Sequence, residues 1–325
     1  MNNTKYNLIL LILLFILPLM VSSSVSIISM WIIMELNTLI FITFLIMNNM
    51  DIYCNMMKYY IIMVFSSLIF IFVIMLYTLK NNNLFLYLLF MILMVKLGMF
   101  PFHYWFIDLM QNLNWISSLI LLTWQKLIPL IITFYFDMNF LYIIVIIFSG
   151  LISLVYVFNQ MMLKNILAYS SINHMCWMIL ILMMKNVLWM VYFLIYLILS
   201  FTLILIMNKY DLMYINDLMK VDFLMKYYYL LVFISLGSIP PMFGFMMKWL
   251  SMLNMLKYEL YMMNFYLLFY SLMFLYYYMR IVTMVMLLNY LELKIYILKK
   301  LSIYDHIFFV LSMFSLFLIL YEFFI

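Results

Sequence analysis

The chain has 325 residues, of which 71% are hydrophobic and 8% charged, far from the roughly 45–50% apolar and 25% charged usage of a soluble globular domain. That balance excludes an ordinary soluble domain and predicts an all-α polytopic membrane protein. The net charge of +5 comes from scattered lysines rather than a basic block, so no nucleic acid is expected as a partner.

A spanning helix needs about 20 mainly apolar residues. Runs of that kind cover 6–22, 25–47, 57–79, 84–110, 115–136, 139–158, 163–184, 187–207, 227–256, 261–290 and 303–325, which predicts about eleven transmembrane helices in a single membrane domain over 1–325. Asn48-Asn49, Asn81-Asn82-Asn83 and the charged stretch 209–226 mark loops. The fourth, ninth and tenth runs are overlong for simple spans. The first run, followed by Ser22-Ser23-Ser24, has the outline of a signal peptide, but only Lys5 marks a positive n-region.

One alanine (Ala168), one arginine (Arg280), four glycines and five prolines stand beside 38 methionines. Residues with GC-rich codons are nearly absent, as AT-rich coding DNA would dictate, and the methionine count follows if ATA also encodes Met, as in many animal mitochondria. An organellar gene, whose product needs no address, is the working inference; an AT-rich nuclear or bacterial genome is the alternative. With alternating spans, the N-terminal side collects Lys5, Lys58, Lys164, Lys209, Lys220, Lys226, Lys294, Lys299 and Lys300, and the other side Lys80, Lys185 and Lys257. The positive-inside rule then puts the N-terminus on the matrix or cytoplasmic side.

The fourth and ninth runs share a pattern: Leu97-Gly98-Met99-Phe100-Pro101 in one, Leu236-Gly237-Ser238-Ile239-Pro240 in the other, the latter followed by Pro241. Each falls in the fourth helix of a five-helix block, 6–136 and 139–290, with 303–325 as a C-terminal helix. An odd repeat length inverts topology, and inverted repeats with Gly/Pro-interrupted helices at matching positions point to a transporter core. Two simple helix kinks are the plainer reading.

Four ionisable residues lie near the centres of their runs: Glu35, Lys96, Lys126 and Lys248. A central Lys or Asp costs roughly 2.5–3.5 kcal/mol even on the lenient insertion scale, and such residues usually mark ion or proton pathways. Snorkelling of the lysine stem is the competing account. At mid-span an interface is about 15 Å away, which argues against snorkelling most strongly for Lys126 and least for Lys248. For Glu35 the alternative is a structural ion pair with a lysine. Burial disfavours a charged lysine and a nearby carboxylate favours it, so moving the carboxylate loads or unloads a proton. A Gly/Pro break adds backbone groups that can bind water where they line a cavity. His103 follows the first break, and Ser170, Ser171, Asn173 and His174 form a polar cluster. Neutral histidine can pass a proton between its ring nitrogens, and a satisfied interhelical hydrogen bond is the equal alternative for both histidines. Cys54 and Cys176 have no metal-ligand or disulfide spacing, and no dinucleotide or P-loop motif occurs; no cofactor and no metal are expected.

The segments KLGMFPFHYW (96–105), LLTWQKLIP (121–129), NILAYSSINHMCWM (165–178) and SLGSIPPMFGFMMKW (235–249), with WIIMELNTL (31–39), resemble the chain 2 family of mitochondrial NADH–ubiquinone oxidoreductase, the smallest antiporter-like subunit of the complex I membrane arm. The resemblance spans most of the chain in the family's order. It implies an antiporter-like fold lacking three N-terminal helices, residence in the mitochondrial inner membrane beside other membrane-arm subunits and lipids, and proton translocation with redox centres in other subunits. It also implies Glu35 as the membrane glutamate, Lys96 as its partner in the first broken helix, Lys126 as the central-axis lysine and Lys248 as the lysine after the second broken helix. The chain departs from the family at Ser238, where a second glycine is usual, at Cys176, where glycine is common, and at Met247, where many relatives have proline. A stand-alone cation/proton antiporter and a passive scaffold are the competing functions.

Overall fold

The computed structural model describes residues 2–48, 53–80, 83–136, 139–221, 223–240 and 242–292. Thirteen α-helices run through them: α1 Asn2–Ser23, α2 Ile27–Asn48, α3 Tyr53–Lys80, α4 Asn83–Leu97, α5 Tyr104–Asn112, α6 Trp115–Leu122, α7 Trp124–Thr133, α8 Asn139–Val157, α9 Leu163–Met183, α10 Leu188–Tyr210, α11 Phe223–Gly237, α12 Phe243–Lys257 and α13 Tyr261–Glu292. A short 3₁₀ turn, Ile215–Lys220, follows α10. Among the described residues the one β-type contact is an isolated antiparallel bridge, Met162 to Tyr214.

The overlong fourth and ninth runs are each two helices: α4 and α5 part at 98–103, α11 and α12 at 238–242. The overlong tenth is one helix of 32 residues. The fifth run departs from the continuous span predicted over 115–136, because α6 and α7 meet at Thr123, whose φ and ψ are −116° and −72°. Thr123 Oγ1 donates to Leu119 O at 2.7 Å, and the Lys126 N–H bonds three residues back to Thr123 O. Pro129 in α7 has no N–H to offer the Gln125 carbonyl, so the next turn is loosened as well. Among the described residues seven spans are long and apolar enough to cross a membrane. The run 303–325 and Pro241 lie outside the described residues.

The described residues divide inside α8 into two compact units, one up to Ser149 and one from Gly150. In the first, α7 is packed against α1, α2, α4 and α6, and α3 against α2, α4 and α5. Trp124 Nε1 donates to Leu14 O at 2.7 Å and Trp31 Nε1 to Ser67 O at 3.0 Å, so indoles tie helices together through backbone groups. Along α3, Ile61, Phe65, Leu68, Phe72, Met75 and Leu79 are exposed. That spacing is one helical stripe, turned outward as lipid or a neighbouring subunit requires and water does not.

In the second unit α9 packs on α10, α12 and α13 and is buried on every face from Leu163 to Leu182. Its serines satisfy themselves: Ser170 Oγ donates to Leu167 O at 2.9 Å and Ser171 Oγ to Ala168 O at 2.6 Å, the back-bonding that lets hydroxyls sit in an apolar interior. The start of α12 lies directly on the end of α11. A Cβ at Gly244 would stand 1.6 Å from Ser235 O, whereas at Gly237 the nearest atom would be 3.4 Å away. Gly244→Ala therefore forces two backbones apart, at a cost above the roughly 1–3 kcal/mol of ordinary overpacking. The expected outcome is loss of the assembled protein on a native gel for Gly244→Ala and near-normal assembly for Gly237→Ala. Equal behaviour of the two variants refutes this packing.

Candidate functional site: two broken helices and their buried lysines

The first break is closed by a left-handed backbone, the geometry glycine adopts at no steric cost. Gly98 has φ +67°; its N–H bonds to Val95 O and the Met99 N–H to Met94 O, both at 3.1 Å. This pair of bonds is the Schellman ending of a helix. A Cβ at Gly98 would lie 2.8 Å from Phe106 Cβ, so α5 folds back tightly on the end of α4. Trp105 Nε1 donates to Val95 O at 3.0 Å, fastening the two halves, and the Phe102 N–H closes a turn on Met99 O at 2.8 Å. Pro101 lies inside that turn, two residues before the His103 N-cap of α5.

Lys96, in the last turn of α4, is only 5% exposed. Its Nζ lies 3.5 Å from Oε1 of Glu35 on α2, so the carboxylate and the lysine near the break form one ion pair. Lys96 also lines a small cavity, about 20 Å³ in volume, with Lys126, Asn37, Gln125, Tyr59 and Pro129. Lys126 is 2% exposed, and its ammonium sits 4.3 Å from the centre of the Phe106 ring, within cation–π range. Asn37 Nδ2 donates to Gln125 Oε1 at 2.7 Å, while Asn37 Oδ1 and Gln125 Nε2 are buried with no protein hydrogen-bond partner among the described residues. One acceptor and one donor thus remain for water in a polar cavity shared by both lysines. Neither Asn37 nor Gln125 stands out in the sequence, where each lies within two residues of a charged one.

In the second unit the break shifts by one residue from the repeated sequence pattern. Gly237 is the last residue of α11, and the left-handed residue is Ser238, φ +62°. The Ser238 N–H bonds to Ser235 O at 3.0 Å, as the Gly98 N–H does to Val95 O. A left-handed backbone costs an L-residue roughly 1–2 kcal/mol. Pro240 is exposed in the turn that follows. Lys248 in α12 is 1% exposed, and its Nζ donates to Ser238 Oγ at 2.7 Å.

His174 is 1% exposed; its Nδ1 lies 3.0 Å from Tyr192 Oη and its ring 5.1 Å from that of Tyr196. His103 is buried at the start of α5, its ring 4.1 Å from that of Tyr104. Lys164 and Lys226, counted above among loop charges, are buried at 4% and 5% exposure. They are part of the packed helices, and fewer charges remain to support the topology count. Among the described residues no three His, Cys, Asp or Glu side chains gather as metal ligands; Cys54 is exposed and Cys176 buried.

Residues 24–274 match the family described as NADH:quinone oxidoreductase/Mrp antiporter, transmembrane. The chain is 40% identical over 262 residues to NADH-ubiquinone oxidoreductase chain 2 of Anopheles gambiae, covering 77% of this chain and 76% of that one. It is 32% identical over 260 residues to the protein of the same name from Locusta migratoria, covering 75% and 76%. Its fold is similar to a chain of respiratory complex I from Thermus thermophilus with bound Aureothin, with a TM-score of 0.79 at 20% identity over 86% of this chain and 70% of that one. It is likewise similar to a chain of the membrane-bound sulfane sulfur reductase, an archaeal respiratory membrane complex, at TM-score 0.79 and 17% identity over 95% and 72%. With the family matched across three quarters of its length and an all-helical fold interrupted at two buried lysine sites, the chain belongs to the NADH:quinone oxidoreductase/Mrp antiporter transmembrane family.

Proposed function

We propose that this chain is a proton-translocating membrane subunit of respiratory NADH:ubiquinone oxidoreductase, lodged in the mitochondrial inner membrane among other membrane-arm subunits, with the redox centres elsewhere in the complex. The chain 2 relatives carry that enzyme's name. In this reading residues 6–136 and 139–290 are inverted five-helix repeats, 303–325 is a further span, and the N-terminus faces the matrix. The proton-bearing groups are Glu35, Lys96, Lys126 and Lys248. His174 relays in the second unit, and Gly98, Pro101, Gly237, Pro240 and Pro241 belong to the two helix breaks.

The observation that carries the proposal is the Glu35–Lys96 pair opening on a cavity shared with Lys126. Separating a buried pair leaves an ammonium uncompensated, at several kcal/mol per ion. A displacement of Glu35, whose side chain is 20% exposed against 2% for Lys96, therefore drives the proton off Lys96. The cavity offers Asn37 Oδ1 and Gln125 Nε2 as anchors for water toward Lys126. Conversely, protonation of Lys126 repels an ammonium on Lys96 and favours its pairing with Glu35. Electron transfer elsewhere in the complex needs only to move charge near Glu35 to start the exchange.

Lys126→Met in the assembled complex tests this reading. The complex is expected to assemble, with coupled NADH oxidation and proton uptake into sealed vesicles lowered about tenfold or more; loss of assembly, or wild-type coupling, favours a passive scaffold. Glu35→Gln and Lys96→Met form a second test through a double-mutant cycle. Groups in direct contact couple by about 0.5–3 kcal/mol. Glu35→Gln alone should therefore impair coupled turnover more than it does in a Lys96→Met background, and strictly additive effects would falsify the pair as one functional unit.

A further inference from the structure

Ser238 combines two features that neither the family match nor the proposed function explains. Its backbone is left-handed, φ +62°, a conformation in which glycine is at ease and serine is not. Its hydroxyl nevertheless lies 2.7 Å from Lys248 Nζ and donates to the Gly237 carbonyl at 2.5 Å. A hydroxyl has one donor and two acceptor positions; here the donor is spent on the end of α11, which leaves the lone pairs for the ammonium. The chain from Lys248 through Ser238 to Gly237 O is thus oriented. Lys248 is 1% exposed and makes no ion pair among the described residues, in contrast to Lys96 with Glu35. Ser238 Oγ is the one hydrogen-bond acceptor that the described residues give it. Gly244 presses α12 onto Ser235, which fixes the helix carrying Lys248 against the end of the helix carrying Ser238.

We infer that Ser238 is a positioning residue for Lys248: its hydroxyl holds the lysine amine at the α11–α12 break and stands in for the missing carboxylate. The inference rests on the reading of Lys248 as a proton carrier. A residue placed at 238 only to close the helix would be replaced by glycine with gain, since the strain is relieved. A residue placed there to hold Lys248 would not.

Ser238→Ala keeps the backbone demand and removes the hydroxyl; Ser238→Gly removes both; Ser238→Asn tolerates the left-handed backbone and restores a side-chain acceptor. In the assembled complex, with assembly followed on a native gel, Ala and Gly are each expected to lower proton uptake per NADH oxidised by about tenfold to a hundredfold, the scale of one hydrogen bond to a charged group, and Asn to recover most of it. In a Lys248→Met background the Ser238 substitutions should add nothing. If Lys248→Met impairs coupling while Ser238→Gly couples as wild type, the inference fails and the proposed function stands. If Lys248→Met itself couples as wild type, the reading of Lys248 fails and the inference with it. Should Ser238→Ala not assemble, the glycine variant, which suits this backbone, decides alone.

Discussion

A helix that stops at membrane depth leaves up to four carbonyls without successors and no water to receive them. Both broken helices of this protein are shaped by that demand. At Gly98 the chain turns left-handed, returns N–H groups to Met94 O and Val95 O, and comes back so closely that Phe106 touches the glycine. At Ser238 a left-handed serine likewise returns its N–H to the carbonyl three residues back, and α12 comes down on Ser235 at Gly244. Everything placed at the two sites follows from this folding back: a lysine near each break, a second helix half close enough to meet it, and in the first unit a cavity beside the junction.

The two lysines are held by different means. Lys96 faces a carboxylate at 3.5 Å, whereas Lys248 rests on a hydroxyl dipole at 2.7 Å. A buried carboxylate–ammonium pair has strong mutual attraction set against a large desolvation cost. A hydroxyl contributes less attraction than a carboxylate and no net charge. Lys126 is a third case, over the face of Phe106, where the ring quadrupole attracts a cation. The three lysines are thus held by three different kinds of support.

Composition and run length suffice to read an all-helical membrane chain, since apolar runs of spanning length leave little freedom in lipid. They also marked where the overlong runs divide, because Gly98 and Pro101 are scarce residue types in a chain with four glycines and five prolines. The break at Thr123 was not legible. Thr is common in continuous membrane helices, and only its conformation, together with Pro129, makes the bend. In the second unit the repeated Leu-Gly-x-x-Pro pattern drew the eye to Gly237, but the left-handed position falls one residue later. Sequence identity of two motifs aligns letters, whereas the N–H to carbonyl bonds of Gly98 and Ser238 align the turns. The need for Gly244 was likewise hidden, since close approach of two backbones leaves no periodic trace. Burial of Lys164 and Lys226 was missed for the opposite reason: a lysine near a run boundary reads as a loop charge until packing is known.

The polar cluster Ser170–His174 shows how burial separates polar residues by role. Ser170 and Ser171 spend their hydroxyls on carbonyls of their own helix, and similar bonds satisfy Ser66, Ser118, Thr133, Ser153 and Ser251. Such bonds place each hydroxyl proton within its own helix. Amide side chains carry both a donor and an acceptor group, so one bond leaves the other end open. When Asn37 and Gln125 bond to each other through one end, the other ends stay open in the interior. Since an unsatisfied buried polar atom costs about 1–3 kcal/mol, two of them beside two lysines in one cavity make hydration of that cavity favourable where the surrounding leucines and methionines make it costly. In the proposed function, passage of charge between Lys96 and Lys126 depends as much on this amide pair as on the lysines.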